Sequence, residues 1–251
     1  MRIAAFVSNY VGKELAYFLT ENHHELDFVI TADNDPYEQE IHDVFIEAGV
    51  ECFRKMDANS DEVVQLLESR KIDLVLLLWW SKIIKQRSID AVTEGFINLH
   101  PSLLPYNRGM HPYYWSIVEG TPAGVSIHFI DSKIDEGDIL FQKEIETPIT
   151  VTGALLYEEA LKTIISLFKD SYTSIKTKSY TRKKQDRTNS TFHLGKDITS
   201  HSLIDLDEDY NALELINIIR ARSFPGNPSS YFMHKGKKYY INITITDSNE
   251  I

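Results

Sequence analysis

The chain has 251 residues, 43% of them hydrophobic and 25% charged, which is typical of a folded globular protein and excludes wholesale disorder. Its formal net charge of −11 argues against a general nucleic-acid binder, because an acidic surface repels polyanions. The single cysteine, Cys52, excludes an internal disulfide framework and a cysteine-rich zinc site.

The first half of the chain alternates strand-like and helix-like segments. Apolar segments predict strands at residues 2–8, 26–32, 50–56 and 72–80, and apolar residues at helical spacing predict helices at 12–22, 37–48 and 61–71. The helix at 61–71 has Ser60 as its predicted N-terminal cap. Strands separated by helices imply βαβ units in a doubly wound sheet, whose ligands bind beyond the carboxyl ends of the strands.

The second half changes character. Residues 123–131 and 138–146 alternate apolar and polar side chains, which predicts two strands of a hairpin, and a long amphipathic helix is predicted at 152–169. Residues 171–197 are polar and predicted to be irregular, a helix is expected at 210–221, and a final hairpin turns at Gly236. We therefore expect a catalytic core at 1–175 and a small extension at 176–251. The basic run at 176–187 has two interpretations, a solvated segment or a contact with an anionic ligand.

The N-terminal apolar run is too short for a signal peptide, and no run reaches the roughly 18 apolar residues that a membrane span needs. We therefore expect a soluble, cytoplasmic protein with no membrane partner.

Two polar residues interrupt an apolar strand near the middle of the chain. Asn98 and His100 flank Leu99, so their side chains share one face at the carboxyl edge of the sheet. If the 123–146 hairpin folds back over that edge, Asp135 approaches His100. Each residue also has a structural interpretation, as a hydrogen-bonded group at a strand end or as a turn residue.

An Asn–His–Asp set suits acyl transfer by direct attack. The imidazole takes a proton from the attacking amine, the amide hydrogen-bonds the oxyanion, and the carboxylate orients the imidazole. No GxSxG motif supplies a serine nucleophile. His100, His111 and His128 follow no metal-binding spacing, so we expect no metal.

Two motifs resemble the signature of the folate-dependent formyltransferase family. They are INLHPSLLPYNRG at 97–109 and IDEGDILFQ at 134–142, the second similar to the family's D-x-G-x-I-x-x-Q pattern. The resemblance implies an α/β fold: a Rossmann-like core with a mixed, mainly parallel sheet and a short C-terminal helix and β-hairpin extension. It also implies Asn98, His100 and Asp135 as the catalytic set and 10-formyltetrahydrofolate as donor. The implied folate contacts are Trp80, Ser81, Ile83, Asp131 and Gly137.

Within that family the chain looks most like the nucleotide-linked amino-sugar N-formyltransferases. Its loop HPSLLPYNRGMHPYYWSI at 100–117 resembles theirs, and the segment at 219–232 resembles the Arg-Ala…Pro-Gly segment of longer members. A guanidinium binds phosphate oxygens and aromatic faces stack on sugars, so Arg108, Tyr113, Tyr114 and Trp115 are expected to meet a sugar diphosphate. Tyr114 and Trp115 have an alternative role, in which they open a helix and pack on the core. Residues 224–227 are expected to close the sugar pocket. The expected acceptor contacts are Asn9, Tyr106, Arg108, Gly109, Tyr113, Phe224 and Tyr231.

The expected acceptor is the amine of a dTDP- or UDP-linked 4-amino-4,6-dideoxyhexose, used for surface polysaccharide such as the O-antigen of lipopolysaccharide. A 3-amino sugar, a GDP-linked sugar, methionyl-tRNA, hydrolysis of the donor to formate and a silent folate-binding module are the alternatives. The sequence leaves open the sugar, the position of its amine, its nucleotide and the oligomeric state. The apolar strand at 237–245 is compatible with a homodimer.

Overall fold

The computed structural model describes residues 1–22, 26–226 and 228–248. Asn227, at the end of the segment expected to close the sugar pocket, lies outside the described residues.

Strands and helices alternate through the first part of the described chain. The strands are β1 (Ile3–Val7), β2 (Leu26–Thr31), β3 (Cys52–Phe53), β4 (Leu74–Leu78), β5 (Gly95–His100), β6 (Arg108–Gly109), β7 (Ala123–Phe129), β8 (Ile139–Ile145), β9 (Phe192–His193), β10 (Ser230–His234) and β11 (Lys237–Ile241). The helices are α1 (Asn9–Asn22), α2 (Glu38–Glu47), α3 (Asp61–Ser69), α4 (Gln86–Asp90), α5 (Pro112–Glu119), α6 (Gly153–Lys176), α7 (Asp197–His201) and α8 (Ala212–Ala221).

A seven-stranded sheet in the order β3-β2-β1-β4-β5-β7-β8 organises the fold. The pairs β1–β2, β1–β4, β2–β3 and β4–β5 are parallel, and every residue of β1 and β4 is buried. Continuous apolar runs form these central strands because helices cover both faces of the sheet. The predicted α/β fold with a mixed, mainly parallel sheet is confirmed.

Predicted local signals account for several element ends. Ser60 caps α3 by accepting a hydrogen bond from the backbone N–H of Val63 at 3.3 Å. The terminal hairpin turns at Lys235 and Gly236, which both have positive φ, as a tight hairpin turn requires.

Several predicted elements differ in length from those observed, and β3 and α6 differ most. Strand β3 pairs over only two residues, Cys52 and Phe53, of the seven predicted. Helix α6 continues to Lys176, so the expectation of irregular chain from residue 171 was wrong. The helix continues because the Tyr172 ring packs 5.9 Å from that of Phe18 and 5.6 Å from that of Phe168, and this burial outweighs the polar neighbours.

The chain divides into two compact units. The first comprises residues 1–100, 127–141 and 164–185, and the second comprises residues 101–126, 142–163 and 186–251. The division cuts through β7, β8 and α6, while the boundary predicted between residues 175 and 176 stays a prediction. None of the helices in the described part of the chain is both long and apolar enough to cross a membrane.

Candidate active site

Polar side chains gather at the carboxyl ends of the central parallel strands. Asn98 pairs in register with Leu77, one residue before the end of β4, and His100 is the last residue of β5. Both side chains therefore lie at the edge where doubly wound sheets bind ligands.

Asp135 approaches His100 from the loop that joins β7 to β8. Its Oδ2 lies 3.6 Å from Nδ1 of His100, and both side chains are largely buried, with 13% and 8% exposed. This distance brings together His100 and Asp135, two of the three residues predicted from the sequence as the catalytic set. Asp135 has a φ of 53°, which lies in the left-handed region. Residues other than glycine rarely adopt this conformation, and those that do are often found at functional sites.

The far nitrogen of His100 is the atom available for proton transfer. Nε2 is buried and has no hydrogen-bond partner among the described residues. Because Nδ1 faces the Asp135 carboxylate, the neutral ring carries its proton there and leaves the lone pair on Nε2. A buried base with an open lone pair is equipped to accept a proton from a bound amine.

His128 is a fourth member of this group, and sequence reasoning treated it only as a candidate metal ligand. Nδ1 of His128 lies 2.7 Å from the carbonyl oxygen of Phe129, which can only accept, so Nδ1 carries the proton. Nε2 is then an acceptor, and it takes a hydrogen bond of 3.3 Å from the Asn98 amide nitrogen. Nε2 also lies 3.7 Å from Oδ1 of Asp135.

Burial keeps His128 neutral. The side chain is fully buried, and desolvation lowers its pKa to about 4, although the nearby Asp135 carboxylate acts in the opposite direction. The neutral ring holds the amide of Asn98 in one orientation. The amide has a second N–H, a group that can hydrogen-bond an oxyanion.

Gly137 closes the loop that carries Asp135. A Cβ built at this position would lie 1.9 Å from the carbonyl oxygen of Phe129, so only glycine allows the two backbones to approach this closely. A folate contact at Gly137 stays a prediction.

The segment expected to contact folate after β4 is fixed at both ends. Ser8 Oγ donates to the carbonyl of Trp79, a residue with a φ of 63°, at 2.6 Å. Asn59 donates from Nδ2 to the Ile83 carbonyl at 2.9 Å and accepts from the Lys85 N–H at 2.6 Å. These bonds hold residues 79–85 in a defined shape beside β4.

Within this segment the predicted folate contacts differ in exposure. Trp80 is only 6% exposed and packs 5.4 Å from the Phe6 ring, but its Nε1 is buried without a partner among the described residues. Ser81 is exposed and Ile83 is 70% exposed, as a ligand-facing residue can be.

Two further predicted contacts occupy local turns of the first unit. Asp131 is exposed, and its Oδ1 accepts the Lys133 N–H at 2.9 Å. Asn9 begins α1 with a φ of 59°, and its backbone N–H donates to Oδ2 of Asp35 at 2.6 Å. Their ligand contacts stay predictions.

In the second unit, a buried network shapes the loop that follows His100. Ser126 Oγ donates to the Ser102 carbonyl at 2.7 Å and accepts from the Leu104 N–H at 3.0 Å. Gln142, the last residue of the second motif, donates from Nε2 to the Leu104 carbonyl at 2.8 Å and to Ser126 Oγ at 2.9 Å. The glutamine of the motif therefore has a structural role in holding this loop.

Arg108 and Gly109 form strand β6, which pairs with β9. Nε of Arg108 donates to Ser190 Oγ at 2.8 Å, and its guanidinium lies 5.6 Å from the Phe192 ring. A Cβ at Gly109 would lie 2.3 Å from the His193 carbonyl. Both residues thus hold the 190–193 segment, and their contacts with an acceptor stay predictions.

Two of the aromatic residues predicted to contact the acceptor, Tyr113 and Phe224, pack against each other in the second unit. The Tyr113 ring lies 4.9 Å from that of Phe224 and 5.2 Å from that of Tyr157, and burial raises the pKa of Tyr113 to about 12. Tyr231 lies in the terminal hairpin, where Nζ of Lys238 is 4.1 Å from its ring centre. Tyr157, which the sequence analysis did not single out, packs against both Tyr113 and Phe224.

Tyr114 and Trp115 are core residues, whereas an acceptor contact of Tyr106 stays a prediction. Tyr114 and Trp115 are 0% and 6% exposed, and the Tyr114 hydroxyl lies 2.7 Å from Nδ1 of His201. Both side chains pack in the core, which is one of the two roles predicted for them. Tyr106 is half-buried, with its N–H bonded to the Leu103 carbonyl at 3.1 Å.

Comparison with known proteins places this site in a family. Residues 1–164 match the family described as formyl transferase, and residues 197–247 match the N-formyltransferase dimerization C-terminal domain. The dTDP-4-amino-4,6-dideoxyglucose formyltransferase of Mycobacterium tuberculosis is 29% identical over 189 residues, which are 74% of this chain and 78% of that protein. The methionyl-tRNA formyltransferase of Ruminiclostridium cellulolyticum is 30% identical over 142 residues, 56% of this chain and 46% of that protein. A sugar N-formyltransferase from Shewanella sp. FDAARGOS_354 has the same fold, with a TM-score of 0.81, 22% identity and 98% coverage of both chains.

Proposed function

Since this chain belongs to the formyl transferase family, we propose that it moves a formyl group from 10-formyltetrahydrofolate to the amine of a nucleotide-linked amino sugar. The observation that carries the proposal is the buried His100, whose Nε2 is open while its Nδ1 faces Asp135 at 3.6 Å. An open base beside an amide and a carboxylate suits direct transfer to an amine.

The proposed chemistry has one tetrahedral intermediate. The neutral amine of the acceptor attacks the formyl carbon, and Nε2 of His100 accepts the amine proton. The amide N–H of Asn98 and the protonated ring of His100 stabilise the oxyanion. Collapse breaks the bond between the formyl carbon and N10 of the folate, to which His100 returns its proton.

Asp135 has two proposed roles in this sequence of steps. Its carboxylate orients the His100 ring through Nδ1, and its negative charge stabilises the imidazolium that forms during attack. The 3.6 Å separation is longer than a hydrogen bond, and we expect it to shorten when substrates fill the site.

We propose a 4-amino-4,6-dideoxyhexose linked to dTDP as the acceptor. The name of the M. tuberculosis relative, which this chain matches over most of its length, supports this choice. UDP- or GDP-linked sugars and 3-amino sugars are the other acceptors to test. Methionyl-tRNA is less favoured, because the chain carries a net charge of −11, which repels a polyanion.

We also propose a setting for the reaction. The product would enter surface polysaccharide, such as the O-antigen of lipopolysaccharide, after synthesis in the cytoplasm. The match of residues 197–247 to a dimerization domain supports a homodimer.

A formylation assay over a panel of acceptors tests the proposal. The purified chain is incubated with 10-formyltetrahydrofolate and 3- or 4-amino sugars linked to dTDP, UDP or GDP, with charged methionyl-tRNA as a further arm, and products are identified by mass spectrometry. We expect an added formyl group on a dTDP-linked 4-amino sugar. Formylation of the tRNA alone, release of formate alone, or no product would each contradict the proposal.

A further inference from the structure

The Asp135 loop, residues 130–138, has to hold a carboxylate in place although much of it is exposed. Residues 131–134 are all exposed, and Asp135 itself has a left-handed backbone. An exposed loop of this kind needs external contacts to keep a catalytic group within reach of its partner, because loops move more than strands.

Two such contacts come from one side chain about fifty residues further along the chain. The amide nitrogen of Gln185 lies 2.8 Å from the carbonyl oxygen of Asp135 and 2.8 Å from that of Gly137. Both hydrogens of the amide are thereby used, one on each side of Glu136. The orientation of the amide is determined, because the reverse orientation would face an oxygen against two carbonyl oxygens.

We call residues 178–185 the strap. Gln185 is the last residue of the strap, and the strap is itself anchored. Lys183 and Ile139 exchange backbone hydrogen bonds of 2.8 and 2.9 Å, so the strap pairs with the first residue of β8. The guanidinium of Arg182 lies 3.7 Å from the centre of the Phe129 ring at the end of β7. Glu94, before β5, pairs with Lys178 at 2.6 Å and with Arg182 at 3.6 Å.

These contacts account for part of the basic run at 176–187. Lys178 and Arg182 are engaged with Glu94 and Phe129, so they attach the strap to the residue before β5 and to the end of β7, where the catalytic loop begins. The strap is an anchored support from which Gln185 reaches the loop.

We propose that Gln185 is a positioning residue for formyl transfer, because it fixes the Asp135 loop and so keeps the carboxylate at its working distance from His100. The inference rests on the proposed function. Gln185 acts through Asp135, so its removal should lower turnover only while Asp135 has its carboxylate.

The test compares Gln185→Met, which keeps the length of the side chain but removes both donors, with Lys184→Met at the exposed neighbouring position. We expect kcat to fall about tenfold or more in Gln185→Met, because small displacements of catalytic groups are costly, and to stay within twofold of wild type in Lys184→Met. In an Asp135→Asn background, Gln185→Met should lower kcat by less than a further twofold. An unchanged kcat in Gln185→Met, or losses that multiply in the double variant, would overturn the proposal.

Hydrogen–deuterium exchange of residues 130–138 separates this proposal from the assigned reaction. Exchange should be faster in Gln185→Met than in wild type and unchanged in Lys184→Met, even if no acceptor is formylated. Equal protection from exchange in all three proteins would by itself overturn the role proposed for Gln185. Gln185→Asn, which shortens the reach by one methylene, serves if Gln185→Met does not fold, with the same expected losses.

Discussion

Nε2 of His128 lies 3.3 Å from the side-chain nitrogen of Asn98, and this contact determines which way the amide faces. The ring can accept there because its other nitrogen donates to the Phe129 carbonyl at 2.7 Å. A second histidine thus orients the proposed oxyanion donor, while His100 is left for proton transfer.

Replacing His128 should separate its role as a hydrogen-bond acceptor for Asn98 from its role in packing. His128→Leu removes the acceptor for Asn98, and we expect kcat to fall about tenfold or more with little change in KM, because the amide loses its fixed orientation. His128→Gln places an oxygen at about the position of Nε2 and should retain much of the lost rate. Steady-state kinetics of the two variants, with circular dichroism as the check on folding, makes the comparison. Equal activity of His128→Leu and wild type would contradict the orienting role of His128.

The neutral state of His128 also predicts how stability depends on pH. Its folded-state pKa of about 4 lies below the unfolded value of about 6.5, so between these values the unfolded chain binds a proton that the folded chain does not. Stability from this residue is therefore present above about pH 6.5 and is lost as the pH falls toward 4. Between pH 7 and pH 4.5 the loss is on the order of 2 kcal/mol.

Urea unfolding at several pH values measures this contribution. Between pH 7 and pH 4.5, the free energy of unfolding should fall more in wild type than in His128→Gln, because glutamine at position 128 does not titrate. Parallel curves for the two proteins would show that His128 is not held neutral by the fold.

Gly137 should tolerate no side chain. In Gly137→Ala the added Cβ would fall 1.9 Å from the Phe129 carbonyl, so the Asp135 loop has to move away from β7 and kcat should fall by at least tenfold. Gly195→Ala is the matched control, because its Cβ would meet its nearest atom at an ordinary 3.7 Å. Activity and thermal unfolding of both variants test this, and a fully active Gly137→Ala enzyme would contradict it.

Much of the fold and part of the site follow from residue patterns. The apolar run at Leu74–Leu78 predicts a strand buried on both faces, as β4 is. Asn98 and His100 stand out because each places a polar group in an apolar strand. The approach of Asp135 depended on how the hairpin folds, which only the three-dimensional structure provides.

Other residues discussed for the site are marked less clearly in the sequence. His128 also interrupts an apolar strand, two residues after Ser126, so the pattern that marked Asn98 and His100 was present there as well. Gln185 lies within a run of lysines and arginines, whose charge directs attention to anionic ligands instead of to an amide. Its role depends on contacts about fifty residues away in sequence, for which periodicity carries no signal.

The end of α6 shows how a packing signal can be hidden by composition. Ser171, Thr173 and Ser174 suggest irregular chain, but Tyr172 and Ile175 continue the apolar stripe of the helix and are buried. Tertiary packing of these two residues outweighed the low helix propensity of their polar neighbours.

The central claim is that His100, which Asp135 orients and whose imidazolium Asp135 stabilises once it forms, transfers the proton during formyl transfer. Its most direct test is the single-turnover rate of formylation of a dTDP-linked 4-amino sugar by wild type, His100→Asn and Asp135→Asn, each first shown to be folded by circular dichroism. We predict that both variants lose turnover by about a hundredfold or more, because each removes a group from the proton-transfer step. Turnover near that of wild type in either variant would contradict the account.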